Sequence, residues 1–338
     1  MIIVMKRGAQ KSIIDHVLQE ITKSGLDPIP LHGTERTVIA VIGDERLLDI
    51  HHLRSLPGVN DVMRVLQPYK LASRDTKYEN TVIEVNGVKI GSSELAIMAG
   101  PCAVENEDQV EATARAVAQY GCKILRGGAF KPRTGPYSFE GLGVSGLKIL
   151  RAAADRHGLA VVTELMDIRQ IDLVSKYADI IQIGARNMQN YDLLNAIGET
   201  KKPILLKRGL SATITELLLS AERIILHGNQ QVILCERGIR TFETETRNTF
   251  GVNSIPLLKE LTHLPVIADP SHATGRRSIV PAVALAGIAA GADGLIIEVH
   301  PKPDTALCDG DQSITPDMFK KLMKQIKMVA KAVKRTLP

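Results

Sequence analysis

Residues that can bind a metal ion recur in this sequence after short apolar runs. Cys102, His272 and Glu298 each follow such a run, and Asp309 comes shortly after the last. A thiolate, an imidazole and two carboxylates form a mixed soft and hard set that suits Mn, Fe, Co or Zn better than Mg or Ca. Taken singly, Cys102 is more typical of a small buried residue and His272 of a hydrogen-bonded loop histidine. The set as a whole predicts a divalent metal site.

A second set of side chains is cationic and also follows the apolar runs. Guanidinium groups bind phosphate and carboxylate with two parallel hydrogen bonds. Six cations exceed what one phosphate needs, which indicates two anionic ligands or one multiply charged ligand. The set comprises Arg126, Lys131, Arg133, Arg186, Lys207 and Arg237.

The apolar runs that precede these residues alternate with helical stretches over most of the chain. Most runs are continuously apolar, as parallel strands buried on both faces require. Eight βα units in roughly 250 residues match a (β/α)8 TIM barrel, in which the strand ends converge on one rim. A doubly wound open sheet is the alternative, because pattern alone does not show closure. The predicted strands are Leu95–Ala99, Lys123–Leu125, Ala160–Thr163, Asp179–Ile183, Pro203–Leu206, Gln231–Leu234, Pro265–Ala268 and Gly294–Ile297.

The first 66 residues follow a different pattern. Their order βαββαβ predicts a small ferredoxin-like α+β domain. Polar residues 67–80 are predicted to form a linker, and residues 81–338 the barrel, preceded by a hairpin that turns at Asn86-Gly87. The predicted elements of the small domain are strands Ile2–Met5, Pro28–Leu31, Thr37–Ile42 and Val59–Leu66, and helices Lys11–Lys23 and Arg46–Leu56.

Composition narrows the class of protein. The net charge of +5 is mild for 338 residues, and no long basic run appears, so nucleic acid is not an expected partner. The longest apolar stretch without charge is too short to span a membrane. Four cysteines without C-x-x-C spacing are typical of reduced thiols. We therefore expect a cytoplasmic protein.

Seven segments follow one another in order along the predicted barrel: GPCAVE (100–105), RGGAFKPRTGP (126–136), IQIGARN (181–187), LLKRG (205–209), CERG (235–238), DPSH (269–272) and EVHP (298–301). Together they resemble the 3-deoxy-D-arabino-heptulosonate-7-phosphate (DAHP) synthases. The N-terminal unit resembles the ACT-like regulatory domain of one subgroup of that family. Two positions depart from the pattern: Ala103 stands where the family commonly has Ser, and Gly135 where it often has Ser or Thr.

The resemblance implies a transferase that condenses phosphoenolpyruvate with erythrose 4-phosphate in the shikimate pathway of aromatic amino-acid biosynthesis. A metal held by Cys102, His272, Glu298 and Asp309 would polarise the aldehyde oxygen. Lys131 would lie near the reacting carbonyl, and Glu164 would position the attacking water. The remaining implied contacts are Arg126, Arg186, Lys207 and Arg237 with phosphoenolpyruvate, and Arg133 and Thr134 with the sugar phosphate.

The family resemblance also implies regulation and assembly. The small domain would pair between subunits of a homotetramer and bind tyrosine or phenylalanine, although a domain that serves assembly alone is an alternative. Two rival functions stand beside the DAHP synthase interpretation. One is a 3-deoxy-D-manno-octulosonate-8-phosphate synthase, which uses arabinose 5-phosphate and typically carries an Asn-containing insertion near Lys131–Thr134. The other is a sensor with an inert barrel.

One further cysteine adjoins the predicted metal site. Cys308 precedes Asp309, and a hypothesis is that oxidation joins it to Cys102 and displaces the metal. A thiol without function is the alternative.

Overall fold

The computed structural model of this chain describes residues 1–33, 36–43, 48–63, 67–132, 135 and 137–337. Two compact units are present. Met1–Asn80 and Glu260–His263 form one, and Thr81–Lys259 and Leu264–Pro338 form the other. The prediction that residues 67–80 act as a linker stays a prediction.

The first unit contains a four-stranded sheet in the order β2-β3-β1-β4, with antiparallel neighbours. Helix α1 buries Ile14, Val17 and Ile21, whose helical spacing places them on one face toward the sheet's apolar core. Helix α2 begins after Asp49, which accepts a hydrogen bond from the His51 amide at 2.8 Å. The predicted ferredoxin-like domain is confirmed. Its elements are β1 (Ile2–Met5), α1 (Lys11–Lys23), β2 (Asp27–His32), β3 (Thr37–Ile42), α2 (Ile50–Ser55) and β4 (Val59–Met63).

The second unit is a closed barrel of eight parallel strands. Each strand from β7 to β14 pairs with the next in the chain, and β14 pairs back to β7. The predicted barrel is confirmed, and the open-sheet alternative is wrong. The strands are β7 (Ala96–Gly100), β8 (Ile124–Arg126), β9 (Ala160–Leu165), β10 (Ile180–Ile183), β11 (Ile204–Lys207), β12 (Val232–Glu236), β13 (Val266–Ala268) and β14 (Gly294–Glu298).

Helices follow the barrel strands, and several of them begin at polar capping residues. Thr213 and Glu216 form a reciprocal capping box at the start of α7, and Asn106 and Thr315 cap α3 and α11. The helices are α3 (Glu107–Gln119), α4 (Gly143–Arg156), α5 (Ile171–Tyr177), α6 (Tyr191–Gly198), α7 (Ile214–Leu226), α8 (Ser254–Leu261), α9 (Pro270–Thr274), α10 (Val280–Ala289) and α11 (Pro316–Ala332). No helix of the described residues is both long and apolar enough to cross a membrane.

A hairpin closes one end of the barrel interior. Strands β5 (Ile83–Val85) and β6 (Val88–Ile90) pair antiparallel around Asn86 and Gly87, whose positive φ values of 48° and 79° are those that a tight hairpin turn requires. Four apolar hairpin residues share a core with residues near the starts of the barrel strands, such as Ala96. The carboxyl ends of the strands are therefore left for the functional site, as in other TIM barrels.

Candidate active site

A cavity of about 160 Å³ lies at the carboxyl ends of the barrel strands. Seven cationic side chains line it, against two carboxylates, Glu164 and Asp309. A cleft with this excess of one sign attracts ligands of the opposite charge. The lining cations are Arg126, Lys131, Arg186, Lys207, Arg237, Arg240 and Arg247.

The four predicted metal donors gather at this cavity in two overlapping groups that share Asp309. His272, Glu298 and Asp309 form one group, and Cys102, Cys308 and Asp309 form the other. Within each group the donor atoms lie within 4.8 Å of one another. Two donors of one zinc-like ion lie up to roughly 4.6 Å apart, because each metal–ligand bond is roughly 2.0–2.3 Å long. The spacing within each group is close to this limit, and the chemistry of the donors suits a divalent ion.

Cys102 is held in place by backbone hydrogen bonds between the segment that follows β7 and the segment that follows β8. Its carbonyl accepts a hydrogen bond from the Gly128 amide at 3.0 Å, and the Gly128 carbonyl accepts one from the Val104 amide at 2.9 Å. The Lys131 Nζ lies 2.9 Å from the Cys102 Sγ and donates to its carbonyl at 3.1 Å. Burial opposes the charge of Lys131, but the neighbouring Cys102 raises its pKa. A cation therefore faces the sulfur that is predicted to bind the metal.

His272 is oriented by a buried carboxylate. Helix α9 begins at Asp269, whose Oδ1 accepts the His272 amide at 3.0 Å. The other oxygen, Oδ2, lies 2.8 Å from the His272 Nδ1 and 2.5 Å from the Lys207 Nζ. Burial opposes ionisation of Asp269, but these neighbours hold its pKa well below the usual range. Nδ1 therefore carries the proton, and Nε2 is left to bind a metal.

One hydrogen-bond chain connects the two carboxylate donors. Gln312 donates from Nε2 to the Glu298 Oε2 at 2.6 Å, and its Oε1 accepts from Arg247 at 2.7 Å. The same guanidinium lies 3.2 Å from the Asp309 Oδ1. Arg126 donates to the other Glu298 oxygen at 2.9 Å. Burial raises the pKa of Glu298, but His272 and Arg126 outweigh it and lower that pKa. Both carboxylates are thus held in place and ionised.

Arg237 is the clearest anion-binding group of the cavity. Its side chain is 3% exposed. Among the described residues it pairs with no carboxylate, and its hydrogen bond is a long one, 3.4 Å, to the Gly238 carbonyl. Burial lowers its pKa, because the charge lacks a close counter-charge. A buried cation of this kind is stabilised by a bound anion.

The other predicted site residues have mixed outcomes. Arg186 and Lys207 line the cavity, as does Glu164, which accepts a hydrogen bond from Gln182 at 3.3 Å. Arg133 and Thr134 lie outside the described residues.

Some charged residues at the strand ends turn away from the cavity lining. Arg208 donates to Glu236 at 2.8 Å, and both are buried. His300 lies 3.3 Å from Glu105. Neighbouring residues of an extended chain point in opposite directions, so Lys207 faces the cavity while Arg208 does not.

Three residues at the site were not predicted from the sequence: Arg240, Arg247 and Gln312. The two arginines lie in the segment after β12, where Ile239 and Thr249 pair across a short loop. That segment has no hydrophobic periodicity that would predict a helix or a strand. Its position directly after a barrel strand was the signal that its side chains could reach the site.

Comparisons with known proteins agree with this arrangement. The model of the DAHP synthetase I family matches residues 76–335, and that of the DAHP synthase ferredoxin-like domain matches residues 1–67. The chain belongs to the DAHP synthetase I family. It is therefore an enzyme of the transferase type that forms a carbon–carbon bond by aldol-like chemistry.

Three matches, two to sequences and one to a crystal structure, show how similar this chain is to other proteins. A phospho-2-dehydro-3-deoxyheptonate aldolase of Thermotoga maritima is 49% identical over 333 residues, 98% of each chain. A crystal structure of the Thermotoga maritima DAHP synthase matches with a TM-score of 0.80 and 48% identity, covering 100% of this chain and 99% of that one. A 2-dehydro-3-deoxyphosphooctonate aldolase of Syntrophotalea carbinolica is 32% identical over 269 residues, 72% of this chain and 94% of that protein.

Proposed function

We propose that this DAHP synthase condenses phosphoenolpyruvate with D-erythrose 4-phosphate and releases phosphate, as the first step of the shikimate pathway. The observation that carries the proposal is Arg237, a buried guanidinium without a carboxylate partner among the described residues, in a cavity with an excess of cations. Two substrates that together carry two phosphates and a carboxylate match this charge.

The cations divide between the substrates in this proposal. Arg186, Lys207, Arg237 and Arg126 bind the phosphate and carboxylate of phosphoenolpyruvate. Arg133 and Thr134 bind the phosphate of the sugar. Such charge-assisted pairs fix the reacting atoms relative to each other, which is the main source of rate enhancement when two substrates must meet.

Cys102, His272, Glu298 and Asp309 would hold a divalent ion of the Mn, Fe, Co or Zn class. When bound, such an ion polarises the aldehyde oxygen of the sugar. The mixed donor set and the Nε2 left available by the Asp269–His272 contact support this assignment.

The proposed bond changes use these side chains as follows. C3 of phosphoenolpyruvate attacks the aldehyde carbon, and the electron pair of the enol double bond forms the new carbon–carbon bond. Lys131 gives a proton to the aldehyde oxygen. Glu164 holds the water that adds to C2 and accepts one of its protons. The proton of the new hydroxyl passes to the departing phosphate as the C2–O bond to phosphate breaks, which leaves the ketone at C2. Buried cations stabilise the negative charge that develops.

A two-substrate assay tests the reaction. The purified protein should turn over erythrose 4-phosphate faster than arabinose 5-phosphate, lose activity after a chelator and regain it with Mn²⁺.

Arg237→Gln should raise the KM for phosphoenolpyruvate at least about tenfold, because a charged contact is lost. Arg169→Gln, at a side chain that is 87% exposed, is the matched control and should change nothing. Faster turnover of arabinose 5-phosphate would favour the octulosonate alternative, and full activity without metal would contradict the metal assignment.

We also propose that the ferredoxin-like domain binds tyrosine or phenylalanine, that the enzyme is a homotetramer, and that it works in the cytoplasm. The similarity of residues 1–67 to the DAHP synthase ferredoxin-like domain supports the regulatory role. The four cysteines are not joined in disulfides, which suits a reducing compartment. Light scattering of the purified protein checks the tetramer.

A further inference from the structure

Cys308 carries a buried thiol beside the predicted metal donors. It is not one of the four donors that the family resemblance implies. Its side chain is 4% exposed and lines the cavity. The Cys308 Sγ lies 3.3 Å from the Cys102 Sγ, and the Cys102 Sγ lies 3.3 Å from the Asp309 Oδ2. These three donors are close enough to share one ion.

The backbone at Asp309 explains how two consecutive residues reach the same cavity. In an extended chain, the side chains of neighbouring residues point in opposite directions. Asp309 has φ 53° and ψ 37°, the left-handed conformation that residues other than glycine adopt rarely. At this corner of the chain, Cys308 and Asp309 both face the cavity. Unfavourable backbone of this kind persists where the surrounding structure holds it, often at functional sites.

Hydrogen bonds on both sides hold that corner in place. The Leu307 amide donates to Glu105 at 2.8 Å, and Arg277 donates to the Gly310 carbonyl at 3.0 Å. The Ser313 hydroxyl donates to the Asp309 carbonyl at 3.0 Å. The Cys308 sulfur therefore occupies a preformed position rather than one end of a loose loop.

We propose that Cys308 is a second thiolate donor of the metal site, so that the ion binds two sulfurs together with His272, Glu298 and Asp309. The inference rests on the proposed metal site and extends its donor set. Two thiolates favour thiophilic ions such as Zn²⁺ and Co²⁺ over Mn²⁺, since the hard Mn²⁺ prefers oxygen ligands. Cys308 thus sets the metal preference of this chain.

Cobalt spectroscopy counts the sulfur donors directly. The intact enzyme is freed of metal and titrated with Co²⁺ under anaerobic, reducing conditions, and the thiolate-to-cobalt charge-transfer band is measured. Its intensity rises with the number of bound thiolates. We expect Cys308→Ser and Cys102→Ser each to lower the intensity to about half that of the unchanged enzyme, as expected if each thiol supplies one ligand. Cys122→Ser is the matched control, because the buried Cys122 does not line the cavity. The serine hydroxyl of this variant can still donate to the Ile97 carbonyl, as the Cys122 thiol does.

The outcomes separate this inference from the proposed function. A band that persists in Cys308→Ser at the intensity of the unchanged enzyme would overturn the role of Cys308 and leave the four-donor site intact. The absence of any band in the unchanged enzyme would overturn both. Cys308→Ala should repeat the halved intensity, and thermal melting of each metal-free variant shows that the fold is kept. In competition, Cys308→Ser should shift the ratio of Zn²⁺ to Mn²⁺ affinity toward Mn²⁺ by about tenfold or more.

Discussion

His263 is a histidine whose burial makes stability depend on pH. Its side chain is 6% exposed, and its Nε2 lies 2.8 Å from the Leu71 carbonyl. Burial lowers the pKa of His263 to about 4. The folded state therefore binds this proton less readily than the unfolded chain, whose histidine pKa is about 6.5. Stability should fall as the pH drops from about 6.5 to about 4, because the unfolded state takes up the proton first.

His263→Gln should flatten this pH dependence. Glutamine can donate to the same Leu71 carbonyl but does not titrate. We expect the unchanged protein to lose about 3 kcal/mol more than the variant over that pH range, from a pKa shift of about 2.5 units. Urea unfolding at a series of pH values measures the difference. His32→Gln, at an exposed histidine, is the control, and equal slopes for all three proteins would contradict the prediction.

At the residue scale, the sequence indicated which side chains form the candidate site better than it indicated which residues hydrogen-bond to them. The structure brings Cys102, His272, Glu298 and Asp309 into two donor groups that share Asp309, although their roles stay proposals. Gln312, which connects Glu298 to Arg247, could not be found because a neutral amide carries no signal of its own. The 3.3 Å between the two sulfurs of Cys102 and Cys308 places them near each other, and the hypothesis of an oxidative disulfide stays a prediction.

At the element scale, the loop after β14 depends on the segment after β7. The Glu105 side chain is 8% exposed and accepts the Leu307 amide at 2.8 Å, while its other oxygen lies 3.3 Å from the His300 Nε2. The His300 Nδ1 in turn accepts the Lys302 amide at 3.0 Å. One carboxylate thereby fixes both ends of the loop that leads to Asp309.

Glu105→Ala should weaken metal binding without removing a proposed ligand. The variant leaves the Leu307 amide without its acceptor, so the chain leading to Asp309 becomes less ordered. Groups that orient metal ligands typically contribute about 10- to 100-fold to affinity. A Mn²⁺ titration followed by calorimetry measures the loss. Glu107→Ala, whose side chain is 66% exposed, is the nearby control. Unchanged affinity in Glu105→Ala would show that the loop does not need this contact.

The strands were predictable because their signal is local and physical. A parallel strand buried on both faces must be continuously apolar, and the observed barrel strands lie within two residues of the predicted bounds. Helix α9 (Pro270–Thr274) was not predicted, because five residues are too few to show a helical period. Strand β4 ends at Met63, beside residues 64–66, so the predicted end at Leu66 falls outside the described residues. The predicted start of the second helix, Arg46, also falls outside them, but Leu48 and Asp49 are described and are not helical, so the prediction was wrong there and α2 begins at Ile50.

At the scale of the whole molecule, closure of the barrel decides the chemistry. Donors separated by almost two hundred residues, such as Cys102 and Glu298, approach each other because β14 pairs with β7. A doubly wound open sheet would not pair its first strand with its last. Closure was not visible in the sequence, since the apolar pattern of a strand is the same in an open and a closed parallel sheet. The number of strands and the similarity to a known family were what favoured the barrel.

Removal of residues 1–66 should separate regulation from catalysis. The barrel has its own core, which includes the β5–β6 hairpin, and all the proposed catalytic residues belong to it. The deletion keeps residues 71–74, and the Arg74 amide donates to the Leu261 carbonyl at 2.9 Å. We therefore expect kcat to stay within about threefold of the full chain, since no proposed substrate contact is lost. Inhibition by tyrosine or phenylalanine should disappear, because the proposed effector site is gone. Initial rates with each amino acid, measured on both proteins, test this. Inhibition that survives the deletion would place the effector on the barrel, whereas a full chain that no aromatic amino acid inhibits would leave the small domain a role in assembly alone.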